Sequence, residues 1–465
     1  MSKKKWAAYL FISSLFAAAA AEASTDLIAV GSVSGSYEDF ALQTAPPLEN
    51  GIPGNRLGGL GSGLAYAGGN TFLAVPDRGP NAKPYDPSVD DTVSYINRFQ
   101  NFHLTLAPSD PGAPLPFTLT PMLTGTTLLS SFTPLTYASS GVPPLNSVNH
   151  TYYFTGRSDN FNPTQPSTHP LNARFDSEGI RVSNDGLSVF ISDEYGPYVY
   201  QFNRLTGKRV RVFNLPAKFA VKNLSPNGDT EINGNTSGRV ANKGMEGLAI
   251  TPDGKTLVGI LQSPLIQDGG TNGAVTRIVT IDLRTGATHE YGYQFDNIGS
   301  ASKAKYGTAS EILAINNHEF LVDERDGKGL VDNSIAVVKK LYKINLVGAP
   351  EISNLTGASN LLGTAAPKTL FLDIVAVLNS KGIASTDIPA KLEGIAFGQD
   401  VTINGATLHT LYVSNDNDYV ATVIDTTHPL GMDNPNKFFV FAFEDADLPG
   451  LVPQDFDDLY LRFTN

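Results

Sequence analysis

The sequence predicts an all-β fold: a β-propeller of four-stranded blades, six of them, forming one domain over residues 24–465. Three observations carry this. Short Val/Ile/Leu/Tyr/Phe runs alternate with Asn-Gly, Asp-Gly and Gly-Gly pairs, and 44 glycines and 30 prolines punctuate the chain, the pattern of many short strands joined by tight turns. A hairpin-like segment recurs at roughly 70 residues per unit, a spacing that suits blades of four strands. The stretches "DLIAVGSV" from Asp26 and "KFFVFAFE" from Lys437 both read as strands, and pairing them would close the ring without an open edge.

Taken in order, residues 1–23 read as an export signal. Lys3, Lys4 and Lys5 precede an apolar run from Trp6 to Ala21, and Ala21-Glu22-Ala23 supplies small residues around a cut after Ala23. The mature chain is then expected to be periplasmic or secreted, with no membrane attachment after cleavage. It has no cysteine, so neither a disulfide framework nor a zinc-thiolate site is open to it. The formal charge is -12, a balance that repels nucleic acid and anionic lipid and favours cations.

Five segments align as repeats: "SGLAYAGGNTFLAVPDRGP" from Ser62, "EGIRVSNDGLSVFISDEYGP" from Glu178, "EGLAITPDGKTLVGILQSP" from Glu246, "EILAINNHEFLVDERDG" from Glu311 and "EGIAFGQDVTINGATLHTLYVSNDND" from Glu393. The midpoint of each falls on residues that suit a tight turn, such as Gly69, Gly186, Gly254, Asn317 and Gly405. Each segment therefore folds on itself and brings its opening and closing polar residues together. A sixth, degenerate blade is expected between Phe99 and Thr155, and the stretch from Thr369 to Leu378 is the best candidate for a short helix, with a strand as the alternative.

Stacked around an axis, these hairpins would gather Asp77, Glu178, Asp193, Glu194, Glu246, Glu311, Glu324, Glu393 and Asp416 at one rim. So many like charges cannot all ionise without compensation. Oxygen donors without cysteine favour a hard divalent cation, calcium first; the expected ligands are Asp77, Glu178, Asp193, Glu246, Glu311, Glu393 and Asp416. Arg78 and Arg325 each follow an acid at the same repeat position and suit a grip on phosphate or carboxylate. Arg239, Asn242 and Lys243 stand beside the rim at the end of a polar insertion over residues 223–244. Equally open is a structural reading, in which the opening Glu of a blade accepts backbone hydrogen bonds from the neighbouring blade and Arg pairs with it. The sequence has no G-x-S-x-G elbow, no G-x-x-x-x-G-K-[ST] loop and no H-E-x-x-H, so the chemistries those motifs carry are not expected.

The stretches "FDSEGIRVSNDGLSVFISDEYGPYVYQFNRLTGKRVRVFNLP", "RVANKGMEGLAITPDGKTLVGILQSPL", "EILAINNHEFLVDERDG" and "KLEGIAFGQD" with "LYVSNDND" resemble the phytase-like propeller family, exported proteins named for esterase-like activity and similarity to phytase. The resemblance runs from about Gly59 to Asp418. It implies a propeller, export, and hydrolysis of ester or phosphoester bonds, with calcium as in the propeller phytases. The matching positions are Asp77, Arg78, Glu178, Glu194, Arg239, Asn242, Glu246, Glu324, Arg325, Glu393, Asp416 and Asn417. Gln262 departs from the pattern, standing where an acid is expected, as does Ser62 in place of the opening Glu.

The expected function is metal-dependent hydrolysis of a small-molecule phosphoester. Glu178, Glu194, Glu324, Arg325 and Arg78 would do the chemistry, and Arg78, Arg239, Asn242, Lys243 and Arg325 would hold substrate. Two alternatives stand beside it: a non-catalytic propeller that binds a ligand or protein across its face, and a lactonase-like or carboxylic esterase propeller.

Overall fold

In the computed structural model the described residues are 25–456, apart from 83–85, 87, 90–91, 139–140, 147–149 and 301. The expected export signal lies outside them. Five four-stranded antiparallel sheets are arranged as blades. Blade 1 comprises Gly63–Tyr66, Thr71–Val75, Arg98–Pro108 and Phe117–Leu128. Blade 2 comprises Ser177–Val182, Ser188–Asp193, Tyr198–Asn203 and Arg209–Phe213. Blade 3 comprises Met245–Ile250, Thr256–Leu261, Val275–Asp282 and Thr288–Gln294. Blade 4 comprises Thr308–Ala314, Glu319–Arg325, Lys339–Asn345 and Lys368–Asp373. Blade 5 comprises Lys391–Phe397, Ala406–Asp416 and Asn436–Phe443, completed by Asp26–Val33 from the other end of the chain.

That last pairing is antiparallel, with Val30 opposite Phe439, and it ties the ring shut. Five buried apolar clusters hold the blades together, one at each junction. Leu64, Phe72 and Phe102 of blade 1 meet Ala396, Tyr412 and Val440 of blade 5 in one of them. Another joins blades 1 and 2 through Leu73, Phe99, Ile180 and Tyr200. Equivalent cores join blades 2 and 3, 3 and 4, and 4 and 5. Because blade 5 packs on blade 1, the ring has no room for another member.

The count is therefore five blades, not six. The residues expected to form the extra blade are the outer half of blade 1: Arg98–Pro108 pairs with Thr71–Val75, with Phe72 opposite Phe102, and with Phe117–Leu128. Beyond them Tyr152–Tyr153 pairs with Ser130–Ser131 in a separate two-stranded ribbon. Chain length was spent on a long hairpin and on the connection to blade 2, and length alone cannot separate loops from strands. The expected helix from Thr369 to Leu378 is half strand: Lys368–Asp373 is the outer strand of blade 4, and the helix is Ile374–Ser380, with the Asp373 side chain capping its first turn.

The innermost strands surround the axis at very close range. Glycine follows the opening polar residue in four of them, at Gly63, Gly179, Gly247 and Gly394. A β-carbon on Gly247 would lie 2.7 Å from Glu311 Cα, and one on Gly63 would lie 2.3 Å from the Glu178 carbonyl oxygen. Only glycine permits that approach of neighbouring backbones.

The channel is floored from within. Arg181 pairs with Glu311 at 3.1 Å and donates to the carbonyls of Leu64 at 2.8 Å and Ile312 at 2.9 Å. On the far face the C-terminal segment crosses the opening, where Gln454 donates to the Val182 carbonyl at 2.8 Å and Val452 N–H donates to the Ile315 carbonyl at 2.8 Å.

Candidate functional site

At the opposite mouth lies a polar cavity of about 230 Å³ whose lining includes Asp77, Arg78, Glu178, Glu194, Glu246 and Glu393. Asn242, Lys243, Gln262, Arg325, Lys391 and Asp416 also face it. Hairpins produce this convergence directly: Ser177 pairs with Asp193, and Lys391 with Asp416, so the start of each inner strand sits beside the end of the next.

The ring is electrostatically uneven. On the side of blades 4 and 5, Arg325 pairs with Glu393 and donates to Ser310 Oγ at 2.6 Å. Lys391 bridges Asp416 at 2.7 Å and Asp418 at 2.5 Å. On the side of blades 1 to 3, Arg78 pairs with Asp176 at 3.0 Å and donates to Asn242. Between Arg78 and Lys243 stand Glu178, Glu194 and Glu246. Glu194 Oε1 and Glu246 Oε2 are buried and meet no donor group among the described residues, the two carboxyl groups having only each other.

Burial, then the charges of Glu246, Asp176 and Glu194, push the Glu178 carboxyl well above the usual range. Glu194 is raised in the same way by burial and then by Glu246 and Asp176. Asp77 is raised by burial and by Asp416. Asp416 is pushed by burial up to about 6 even though Lys391 pulls it down. Lys391 is held well above its ordinary value, because Asp416 and Asp418 outweigh the burial that opposes its charge. A buried carboxylate set of this kind either keeps its protons or receives a cation.

The donor chemistry fits a hard cation. One carboxylate oxygen each from Asp176, Glu178 and Glu194 lies within 4.8 Å of the others, Glu246 stands beside them, and every donor is oxygen. The residues fit such an ion on the strength of the two orphaned oxygens.

Several expected site residues are placed elsewhere, for reasons rooted in strand geometry. Glu324 sits between Asp323 and Arg325, and alternation sends it to the other face of the strand. There it accepts from Tyr293 Oη at 2.8 Å, Asp296 N–H at 2.8 Å and Lys368 Nζ at 2.7 Å. Asp193 is buried behind the rim, accepting from the N–H groups of Asp176 and Tyr195 at 3.0 Å each. Glu311 belongs to the floor; its Oε1 accepts from Leu248 N–H of the neighbouring blade at 2.8 Å, which is the structural reading of an opening Glu. Arg239 turns away from the mouth to pair with Glu231 at 2.5 Å and to donate to the Tyr195 carbonyl at 3.0 Å. Ten of the expected residues do meet at the cavity: Asp77, Arg78, Glu178, Glu194, Asn242, Lys243, Glu246, Arg325, Glu393 and Asp416.

Asp176 and Lys391 were missed by sequence reasoning. Each stands two residues before an opening Glu, and the period of two that puts i and i+2 on one strand face was the signal available. Gln262 accepts from Lys243 at 2.6 Å; an acid there would have neutralised that lysine.

A β-propeller with a channel floored at one end and a charged pocket at the other is the class of protein that this fold and site define. The chain belongs to the family described as phytase-like, "Esterase-like activity of phytase", whose model matches residues 55–419. It is 30% identical over 327 residues to an uncharacterized secreted protein of Arthroderma benhamiae, covering 59% of this chain and 60% of that one. It thus spans about three-fifths of that relative's length. Among solved structures, the Pseudomonas aeruginosa periplasmic gluconolactonase PpgL aligns at 11% identity and TM-score 0.32, over 90% of this chain and 100% of that one. The Malassezia sympodialis allergen Mala s 1 aligns at 11% identity and TM-score 0.35, over 86% and 82%. Among the described residues, no helix is long and apolar enough to cross a membrane.

Proposed function

We propose that the protein is an exported hydrolase of phosphoesters that works with a divalent cation, calcium foremost, at the channel mouth. The observation that carries this reading is the pair of buried oxygens without a donor group, Glu194 Oε1 and Glu246 Oε2, facing the same cavity as Arg78, Lys243, Arg325 and Lys391. Family membership supports ester hydrolysis, and the secreted relative supports export.

Asp176, Glu178 and Glu194 would hold the cation, with Glu246 beside them. When bound, such an ion polarises a phosphoryl oxygen and lowers the pKa of water. Arg78 and Lys243, flanking the carboxylates, bind the remaining phosphoryl oxygens and orient the ester. Asp416 faces the cavity from the other side, and burial pushes its carboxyl up to about 6. It can therefore give a proton to the departing alcohol near neutral pH. The floor of Arg181 and Glu311 keeps traffic to one opening, so substrate and product share the mouth.

The test is hydrolysis of p-nitrophenyl phosphate and p-nitrophenyl acetate by purified protein before and after chelation, with calcium, magnesium or manganese restored. The expected result is a loss of phosphate ester turnover of about 100-fold on chelation, recovered with metal. Undiminished turnover after chelation removes the cation from the mechanism. Turnover of the acetate alone makes the protein a carboxylic esterase.

A further inference from the structure

The far half of the channel holds a second cavity, of about 80 Å³, between the floor of Arg181 and the C-terminal segment. Every blade contributes to its largely apolar wall: Leu64 and Ala65 of blade 1, Val182 of blade 2, Ile250 of blade 3, Ala314 of blade 4 and Phe397 of blade 5. Leu451, Val452 and Pro453 roof it. Because Val452 is tied to Ile315 at the end of blade 4 and Gln454 to Val182 of blade 2, the roof crosses the axis as a strap. Blade 3 lies to one side of it and blades 5 and 1 to the other. The polar lining gathers in blade 5, at Asp400, His409 and Thr410. An apolar cavity of about 150 Å³ takes a benzene ring, so this one has room for a chain of roughly four carbons.

The charged groups at its two ends decide what such a chain carries. At the inner end the Arg181 side chain is buried, paired with Glu311 at 3.1 Å and donating to the carbonyls of Leu64, Ile180 and Ile312. Its charge is already met, so it offers no seat to an anion. At the outer end the Asp400 side chain is 50% exposed and that of Asp445, just beyond the last strand, 95% exposed. Both carboxylates face one imidazole: His409 Nδ1 lies 2.9 Å from Asp400 and His409 Nε2 2.6 Å from Asp445. Two carboxylates against one imidazole leave a negative charge in excess even when the ring is protonated. An apolar hollow with a surplus carboxylate at its rim suits a chain that buries its methylenes and keeps a cationic head in water.

We infer that this far-face cavity binds a small alkylamine, its chain among the inner strands of the blades and its ammonium group beside Asp400. The floor of Arg181 and Glu311 separates the cavity from the mouth, so this binding is independent of the chemistry proposed there.

The test is a ligand-observed NMR titration of the whole protein, in calcium-containing buffer, with butylammonium, 1-butanol and butyrate. Butylammonium is expected to bind in about the millimolar range, 1-butanol about threefold more weakly for want of the exposed ion pair, and butyrate more weakly than either. Asp400→Asn, a change at an exposed side chain, is expected to bring butylammonium down to the level of 1-butanol and to leave 1-butanol as it was. Ala314→Leu fills the cavity from blade 4 and is expected to abolish binding of both. Ala65→Val fills it from blade 1 and takes its place if the thermal midpoint shows that leucine is not tolerated. An amine held by the acidic mouth instead would still bind the filled variants. Butylammonium binding that survives in them, a preference for it that survives Asp400→Asn, butyrate binding as tightly as butylammonium, or no binding of butylammonium to the native protein each overturns the inference.

Discussion

Glu246 and Glu311 hold the same place in successive blades and face different fates. Glu311 has a cation against it: backbone N–H groups of Leu248 and Ile312 donate to one oxygen, and the other lies 3.1 Å from the Arg181 guanidinium in an ion pair. Glu246 leaves an oxygen without a donor group among the described residues. Replacing Glu311 with Gln strands a buried guanidinium, and breaking such a pair costs about 3–5 kcal/mol; a urea titration is expected to show a markedly earlier midpoint. Glu246→Gln and Glu194→Gln instead remove one charge from a like-charged cluster, so stability is expected to hold or rise while calcium binding measured by calorimetry is lost. If both kinds of variant unfolded alike, the cluster would be structural throughout. The acids themselves were legible in the sequence. Their division into floor, wall and mouth was not, because the identity of a repeat position does not say how deep along the axis its side chain lies.

At the scale of the element, the hairpin decides which residues meet. The turns expected at Gly69, Gly186, Gly254 and Gly405 all take positive φ, and the register they set puts the two ends of each hairpin at one rim. Alternation then sorts the closing cluster of blade 4, sending Arg325 to the cavity and Glu324 to Tyr293. The glycine that follows the opening residue has a separate task, close contact between blades. Gly247→Ala is expected to destabilise the protein by about 1–3 kcal/mol through overpacking. It should also lower activity, since the strands carrying Glu246 and Glu311 are the ones forced apart. Gly125→Ala, where a β-carbon would meet nothing nearer than 3.5 Å and φ is not positive, is the control expected to leave both properties unchanged. Equal thermal midpoints for the two variants would mean that the blades tolerate separation.

For the whole molecule, the ring concentrates carboxyl groups that prefer their protons. Burial, the leading cause in each, pushes Asp193 from an ordinary 3.8 and Glu311 from an ordinary 4.5 up to about 7. A proton affinity higher in the folded than in the unfolded chain stabilises the fold fully below pH 4 and is lost as pH rises through 7. Carboxyls held low, such as Glu231 beside Arg239 and Asp418 beside Lys391, have delivered their stabilisation by pH 5 and do not change above it. In chelator, the thermal midpoint is therefore expected to fall between pH 5 and pH 8, each tenfold displacement of a proton equilibrium amounting to about 1.4 kcal/mol. Calcium, held by Asp176, Glu178 and Glu194, is expected to raise the midpoint more at pH 8 than at pH 5, because burial and their acidic neighbours favour protons on Glu178 and Glu194 and those protons compete with the ion; scanning calorimetry at the two pH values checks this. A midpoint that rises with pH in chelator would contradict the proton-binding account. By itself, the sequence determined that the chain makes blades, that its two ends pair, and that hairpin ends bring a part of the expected acids and arginines to one rim, because turn residues and a period of two are written locally. Only the tertiary structure decided that the blades number five, that Glu311 and Arg181 close the channel, and that Asp176 joins Glu178 and Glu194. Those facts depend on which buried faces meet across blade junctions and on how deep each side chain sits, and no single strand encodes either.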